Sequence, residues 1–521
     1  MKTSKKSGLL RSGIISAIAT FLSRILGMLR DIAIASVLGA SLSADVFFFA
    51  NRIPNFFRRL FAEGAFAQSF VPVMTKTKET GSKEELKQLL EKTLGTLSTV
   101  VLAVTILGML LSPVVTAVFG WGWFKAWLDN EPDGQKFIEA SVLLRITFPY
   151  LFFITLTALT SSVLNVFNRF GVPAITPCIL NIVLITFILF LSPYFEDPNR
   201  VLAYGMVVGG VLQLLFQIPF IIKIGMLVRP RWGWSHPGVK KIRQLMIPAI
   251  IGVSASQLNL LVNTVLASFL ATGAISYLYY SDRLLEFPIG IFAVAISTVI
   301  LPTLAKVHAT GDKQLYNATL DWGVRLVLFL GIPSMFGMIA LREPMLRVIF
   351  MRGAFTPENV QLSSASLLAS VSGLCAIMLV RVLVQGFAAI QDTKTPVKCS
   401  ITSIAANICF NLILIVPLGY VGLALSTALA AYVNVSMLLF LLIKRNIYIV
   451  SKESILFIVK ALIAGIVMCS ALRYISPSFD EWITMGTLES IAYLIAMIML
   501  GGLIYGGTVL LLGIKPRSLK R

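Results

Sequence analysis

The sequence predicts an all-α integral membrane protein of about fourteen transmembrane helices, arranged as two pseudo-symmetric six-helix lobes plus two carboxy-terminal helices. Three observations predict it. Of 521 residues, 57% are hydrophobic and 13% charged, with a mean hydropathy of +0.86, a composition no soluble fold requires. Lysine and arginine crowd alternate loops, and the second half of the chain repeats the first.

A helix needs about 20 apolar residues to cross the hydrocarbon core. Fourteen stretches qualify: roughly 12 to 37, 43 to 72, 93 to 119, 138 to 167, 173 to 195, 201 to 224, 244 to 270, 274 to 303, 318 to 341, 361 to 390, 396 to 417, 420 to 443, 454 to 474 and 487 to 513. The basic start MKTSKKSGLLR resembles a signal peptide, but Arg24 interrupts the apolar stretch behind it and no small-residue cleavage site follows closely. It reads as a retained first span. The stretch from Lys223 to Gln244 mixes charges with Pro230, Gly233, Pro237 and Gly238, and reads as a linker. The expected division is therefore an amino-terminal lobe over 1–228, a cytoplasmic linker over 229–243, a second lobe over 244–445, and spans thirteen and fourteen with a basic tail over 446–521.

The net charge of +20 raises the possibility of nucleic acid, but its distribution excludes that reading. With the amino terminus in the cytoplasm, the loops on that side hold most of the cations, among them Lys76, Lys78, Lys83, Lys87 and Lys92, then Arg229, Arg231, Lys240, Lys241 and Arg243, and finally Lys515, Arg517, Lys520 and Arg521. The opposite side holds Lys125, Lys136, Arg200, Arg342, Arg347, Arg352 and Arg473. This asymmetry places both termini in the cytoplasm and supports an even number of spans. The five cysteines show no CxxC spacing, and His236 and His308 fall in expected loops. Neither a disulfide framework nor a metal site is expected, and no cofactor.

The repeat appears on sliding one half over the other. ASVLGASLSADVFFFANR (35–52) lies over ASFLATGAISYLYYSDR (267–283) with one gap, Pro72 falls on Pro302, Thr80-Gly81 on Thr310-Gly311, and the loop NRFGVP (168–173) on QDTKTP (391–396). The offset stays between about 223 and 232, or six spans. Like repeats whose ends face the same side suit a transporter with its substrate site between halves and alternating access.

Charges inside the spans point to the substrate. Asp45, Arg52, Arg59 and Glu63 are spaced 7, 7 and 4, along one face of the second span, which must look into a cavity or a partner. The eighth span carries Asp282, Arg283 and Glu286, and the first carries Arg24 with Arg30 and Asp31 nearer its outer end. At 1.5 Å per residue, Arg24, Arg52 and Arg283 lie about 13 to 20 Å from the outer ends of their helices. A buried charge in hydrocarbon lines a polar cavity or meets a partner, and arginine grips phosphate oxygens with two parallel hydrogen bonds. Matched depth favours substrate contact for these three arginines. For Asp31, Asp45, Arg58, Glu63, Asp282 and Glu286, ion-paired struts and cavity or gate residues both stand. Arg145, Arg325, Arg381 and Lys460 read as pairing or snorkelling residues.

RDIAIASVLGASLSADVFFFANRIPNFFRRLFAEGAFAQSFVPV (30–73), YYSDRLLEFPIGIFAVAISTVILPTL (279–304) and QDTKTPVK (391–398) closely resemble the MurJ (MviN) family of bacterial lipid II flippases, in the multidrug/oligosaccharidyl-lipid/polysaccharide exporter superfamily. The resemblance covers essentially the whole chain. It implies an inner-membrane protein of fourteen helices that moves lipid II, an undecaprenyl-diphosphate-linked muropeptide, from the cytoplasmic to the periplasmic leaflet. It further implies essential cavity arginines at Arg24, Arg30 and Arg283, with Asp45, Glu63 and Arg59 lining or gating the cavity. Spans thirteen and fourteen would offer an apolar groove for the polyprenyl tail, although their Gly501, Gly502, Gly506 and Gly507 equally suit close helix packing. The expected partners are lipid II, membrane lipids and the cell-wall synthesis machinery, with the protein acting as a monomer. One family feature does not transfer. Some members use a sodium site with an acidic residue in the second lobe, whereas spans seven, eleven and twelve here contain no Asp or Glu, their oxygen donors including Asn259, Asn263, Asn407 and Asn411 besides hydroxyls.

The alternatives are a flippase for another polyprenyl-diphosphate-linked oligosaccharide and a drug or cation exporter of the same superfamily, for which twelve helices and an acid-dominated site are expected. An enzyme is disfavoured, because no nucleophile, base or metal constellation occurs at workable spacing. The charge asymmetry makes a direct prediction. A single cysteine placed within 126–134 will react with an impermeant thiol reagent from outside the cell, and one at Lys83 or Lys241 only after permeabilisation; labelling of Lys241→Cys from outside overturns the topology.

Overall fold

The computed structural model describes residues 2–59 and 65–514, and no strand occurs among them. Hydrocarbon offers the backbone no hydrogen-bonding partners, so segments that cross it satisfy their own N–H and C=O groups as helices. Ten helices or continuous helical runs among the described residues are long and apolar enough to cross a membrane. The chain divides into two units, Met1–Gly273 with Arg352–Ala354, and Ala274–Met351 with Phe355–Arg521.

The first unit contains α1 (Lys2–Leu38), α2 (Leu42–Arg58), α3 (Ala65–Thr80), α4 (Lys83–Leu110), α5 (Ser112–Phe119), α6 (Trp121–Leu128), α7 (Gly134–Thr147), α8 (Pro149–Val166), α9 (Gly171–Thr186), α10 (Pro198–Lys223) and α11 (Pro237–Ala267). Local chemistry sets the ends. At α4, the Ser82 hydroxyl accepts from Glu85 N–H while the Glu85 carboxylate accepts from Ser82 N–H, a reciprocal cap on two otherwise unpaired donors. At α11, His236 Nδ1 accepts from Gly238 N–H, which makes His236 the capping residue of a helix. His308, expected in a loop, lies in the last turn of a helix of the second unit. Among α8, α9 and α10, Gln217 donates to Ser161 and Thr176 hydroxyls at 2.8 and 2.9 Å and accepts from Thr160, so buried polar groups tie helices where lipid supplies no water. Gly209 and Gly210 let α10 approach its neighbours closely, since a Cβ there would overlap Leu180 and Tyr150.

The second unit contains α12 (Ala274–Pro288), α13 (Val294–Thr310), α14 (Lys313–Ala340), α15 (Arg342–Phe350), α16 (Pro357–Val371), α17 (Leu374–Ala389), α18 (Lys394–Lys444), α19 (Lys452–Ile475), α20 (Phe479–Thr484) and α21 (Thr487–Leu511). A π-helical turn, Ile289–Ala293, joins α12 to α13 directly after Pro288. Proline removes a backbone donor, and the wider turn absorbs the break. α18 is two antiparallel arms. Gly419 has φ 55° and ψ −132°, a conformation glycine adopts without penalty. Ser403 Oγ donates to Ala430 O at 2.6 Å and Asn407 Nδ2 to Thr427 Oγ1 at 3.3 Å, so pairing partners converge on the turn. The arms correspond to the expected spans at 396–417 and 420–443.

The repeat has a backbone counterpart. Asn168 and Gln391, in the paired loops NRFGVP and QDTKTP, both take left-handed conformations, with φ 58° and 62°. The contact division, however, runs later than the sequence division. α11, the first helix of the expected second lobe, falls in the first unit together with Arg352–Ala354, and it packs chiefly against α3. The two-lobe division by repeat is retained as a proposal.

α19 and α21 attach to the second unit through α14. The Asp321 carboxylate accepts from Tyr448 Oη at 2.7 Å and Ser454 Oγ at 2.6 Å, and pairs with Arg325 Nη2 at 2.7 Å; Arg325 Nε donates to Ser454 Oγ at 2.7 Å. Burial, reinforced by Asp321, pushes the Tyr448 hydroxyl well above its usual range. Arg325 is thus a pairing residue. Of the four glycines of the last span, Gly501 packs on Leu472, whereas a Cβ on Gly502, Gly506 or Gly507 would meet nothing within 4 Å. Asp321→Ala will strand Arg325 without its counter-charge, at a cost of about 3–5 kcal/mol. Thermal unfolding in detergent should then show a markedly lower midpoint, and an unchanged midpoint refutes the anchoring role.

Candidate functional site

The second-span charges form their site from helix spacing outward. Ser41 caps α2, its hydroxyl accepting from Ala44 N–H, and Asp45 in the first turn complements the positive helix end. A spacing of seven is close to two turns, so Asp45, Arg52 and Arg59 share one face. Asp45 Oδ2 accepts from Gly273 N–H at 2.6 Å, Arg52 Nη1 donates to Thr264 Oγ1 at 3.1 Å, and Arg59 Nη1 donates to Gln257 Oε1 at 3.0 Å. As the α2 positions rise, their partners fall. These are rungs of an antiparallel ladder against α11 and the turn behind it. Phe56 and Leu261 fill the space between rungs as a small apolar core, packed by Phe57, Phe119 and Ile250. Asp45, Arg52 and Arg59 thus each meet a protein group on this face, a contact that for Asp45 fits a strut. A second row flanks it: Asn55 Nδ2 donates to Asn51, and Arg58 Nε donates to Asn55 Oδ1 at 3.0 Å. Glu63 lies outside the described residues.

On α1 the two arginines differ. Arg24 is exposed, with no hydrogen bond or ion pair to a described residue. Arg30 grips the buried Asp31 carboxylate through Nε at 2.9 Å and Nη2 at 2.7 Å, and its Nη1 donates to Asn181 Oδ1 at 3.1 Å. Asn181 Nδ2 in turn donates to Ser23 O at 3.2 Å, which fixes the amide orientation. Arg30, implied as a cavity arginine, is thus held by Asp31 and α9.

In the second unit, Asp282 is exposed, and Arg283 Nη1 pairs with Glu286 Oε2 at 3.0 Å one turn on. The Glu286 side chain is 64% exposed, so the pair is weak and easily exchanged for another anion. α12 itself is firmly set: Ser281 Oγ donates to Tyr277 O and Ser363 O, and Tyr280 packs on Phe350 and Phe355. Two of the four amides noted as oxygen donors pair with each other. Asn411 Nδ2 donates to Asn407 Oδ1 at 2.6 Å, and Asn407 donates on to Thr427. An amide N–H thus occupies Asn407 Oδ1, whereas Asn259 Oδ1 is buried with no hydrogen-bond partner among the described residues.

The partners Thr264, Gln257, Gly273 and Asn181 were not singled out by sequence reasoning. Being neutral, they carry no charge signal. A faint one exists, since Gln257 and Thr264 on α11 are themselves seven apart. Chemically, these groups are guanidiniums with hydroxyl, amide and carboxylate partners. Guanidiniums so placed are able to bind and orient an anion.

The profile of the family Lipid II flippase MurJ matches residues 34–493. The chain is 49% identical over 512 residues to the probable lipid II flippase MurJ of Vibrio cholerae, covering 98% of both chains. It is 38% identical to the lipid II flippase MurJ of Burkholderia cenocepacia, over 96% of this chain and 97% of that one. A solved structure of lipid II flippase MurJ in an inward closed conformation superposes with a TM-score of 0.80 at 29% identity, over 98% of this chain and 100% of that one. An inward-facing multidrug resistance MATE transporter superposes with a TM-score of 0.65 at 12% identity, over 89% of this chain and 99% of that one, which shows a shared fold alone.

The ladder predicts a split between stability and chemistry. Asp45→Ala leaves the Gly273 N–H without its ionised acceptor and should destabilise the detergent-solubilised protein by roughly 1.5–3 kcal/mol, with Asp45→Asn losing less because it keeps an oxygen there. Equal thermal midpoints for Asp45→Ala and the parent rule out the strut.

Proposed function

The chain belongs to the MurJ family of lipid II flippases, and from that premise we propose how its own residues carry the substrate. It is a multi-pass membrane transporter, not an enzyme, and it moves lipid II, the lipid-linked peptidoglycan precursor. The diphosphate of that lipid is held by Arg24, Arg52 and Arg283, with Arg30 a pre-oriented donor set by Asp31 and Asn181. The observation that carries this reading is that Arg24 is exposed with no partner among described residues, while Arg59 ends on the neutral Gln257, so guanidinium charge is left for an anion. Arg283 exchanges the exposed Glu286 for a phosphate oxygen. Asp282 and Glu286 act at the rim.

The barrier to crossing is desolvation of the charged head, and hydrocarbon makes that cost large. Arginines that replace water lower it without any covalent step. The lipid tail stays in the bilayer, along the open faces of Gly502, Gly506 and Gly507, where Met499 and Leu503 are exposed. The protein acts as a monomer in the bacterial inner membrane with both termini cytoplasmic, by alternating access between repeat-related lobes, and hands its product to cell-wall synthesis.

A leaflet-resolved assay of lipid II tests this. Rapid depletion, with no other flippase present, should leave lipid II accumulating in the cytoplasmic leaflet while its synthesis continues. Complementation with Arg24→Ala, Arg52→Ala or Arg283→Ala should fail although the protein inserts and accumulates normally, and lysine should rescue only in part because it lacks the planar fork. Loss of the alanine variants from the membrane makes these arginines struts instead.

A further inference from the structure

Two contacts inside the first unit bring together corresponding residues of the internal repeat. α1 ends with carbonyls that have no partner within the helix. One of them, Ser36 O, accepts from Ala354 N–H at 2.8 Å, and a Cβ on the adjacent Gly353 would overlap that same oxygen. α6 begins with N–H groups that have no partner within the helix. One of them, Gly122 N–H, donates to Ser268 Oγ at 2.9 Å at the end of α11, and a Cβ on Gly122 would overlap Ser268 O. The repeat lays Ser36 on Ser268, 232 residues apart, and Gly122 stands 231 residues before Gly353. The same serine-ended helix therefore meets the same glycine twice, each time from the opposite half of the repeat.

We propose that Ser36–Gly353 and Ser268–Gly122 are a paired latch of positioning residues for lipid II transport. Together they close the membrane face opposite the basic loops, and both must release before the headgroup leaves there. The proposal rests on the alternating-access reading above. Glycine is required at both points because the contact is main chain against helix end, with no room for a methyl group. Gly353 adds a left-handed φ of 56°, and Gly39, also left-handed, meets Ala354 in the same way. Each latch joins neutral groups only. Such contacts define a state and still break on a transport timescale, which an ion pair in a dry site would not.

Amide hydrogen exchange on the full-length protein in lipid nanodiscs tests it, since Gly122 and Ala354 N–H are themselves the latch donors. Gly353→Ala should raise exchange at Ala354 and also, by roughly 5-fold or more, at Gly122, because two latches on one closing face share one equilibrium. Ser268→Ala, which removes an acceptor without adding bulk, should raise exchange at Gly122 and at Ala354 together, and guards against misfolding of the glycine variant. Added lipid II should raise exchange at both sites in the parent protein. If each substitution loosens only its own site, the contacts are local packing and the latch is refuted. These exchange measurements on the variants need no substrate, so they stand or fall apart from the lipid II assay.

Discussion

An ionised guanidinium in hydrocarbon costs about 2.5–3.5 kcal/mol even on lenient insertion scales, and this constraint orders the architecture around α2 and α11. Arg52 and Arg59 reach Thr264 and Gln257, and Asp45 reaches the backbone at Gly273, so long charged side chains of α2 bridge to α11, which itself packs chiefly on α3. Phe56 and Leu261 seal the interval between polar rungs. Hydrogen bonds from charged groups are stronger than neutral ones and carry direction, which an apolar seam in lipid cannot supply.

Partner chemistry sorts the charges by role. Arg30 and Arg325 each face a buried or nearly buried carboxylate, Asp31 and Asp321, in pairs that fix helix positions. Arg283 faces an exposed one in Glu286, and Arg59 faces a neutral amide. Arg30 and Arg325 are thereby bound into the helix packing, whereas Arg283 and Arg59 meet their partners at exposed positions. In the neutral Asn411–Asn407–Thr427 chain, with no carboxylate present, one amide donates to the next and that one to a hydroxyl.

The last two helices show how an addition to a two-fold plan is secured. Asp321 gathers Tyr448, Ser454 and Arg325 at one end of α19, and Tyr505 of α21 donates to Phe329 O on α14. The opposite surface keeps Gly502, Gly506 and Gly507 open beside exposed Met499, Leu503 and Leu511. Anchoring is polar and one-sided, which leaves the other side for acyl chains.

Composition and hydropathy determined the all-α membrane class, because a backbone in hydrocarbon has to satisfy itself within each span. The repeat was legible down to a loop, as the left-handed residues Asn168 and Gln391 show, and so was the seven-residue spacing of Asp45, Arg52 and Arg59, since both are local properties of the chain. Only the tertiary structure decided what those charges meet. Thr264, Gln257 and Asn181 are neutral residues whose type carries no charge signal to announce a guanidinium, and helix pairing joins positions some 150 to 230 residues apart. The same holds for the placing of α11 with the first unit and for the packing of Gly501 but not Gly502, because a periodic helix specifies its faces while its neighbours specify which face is covered.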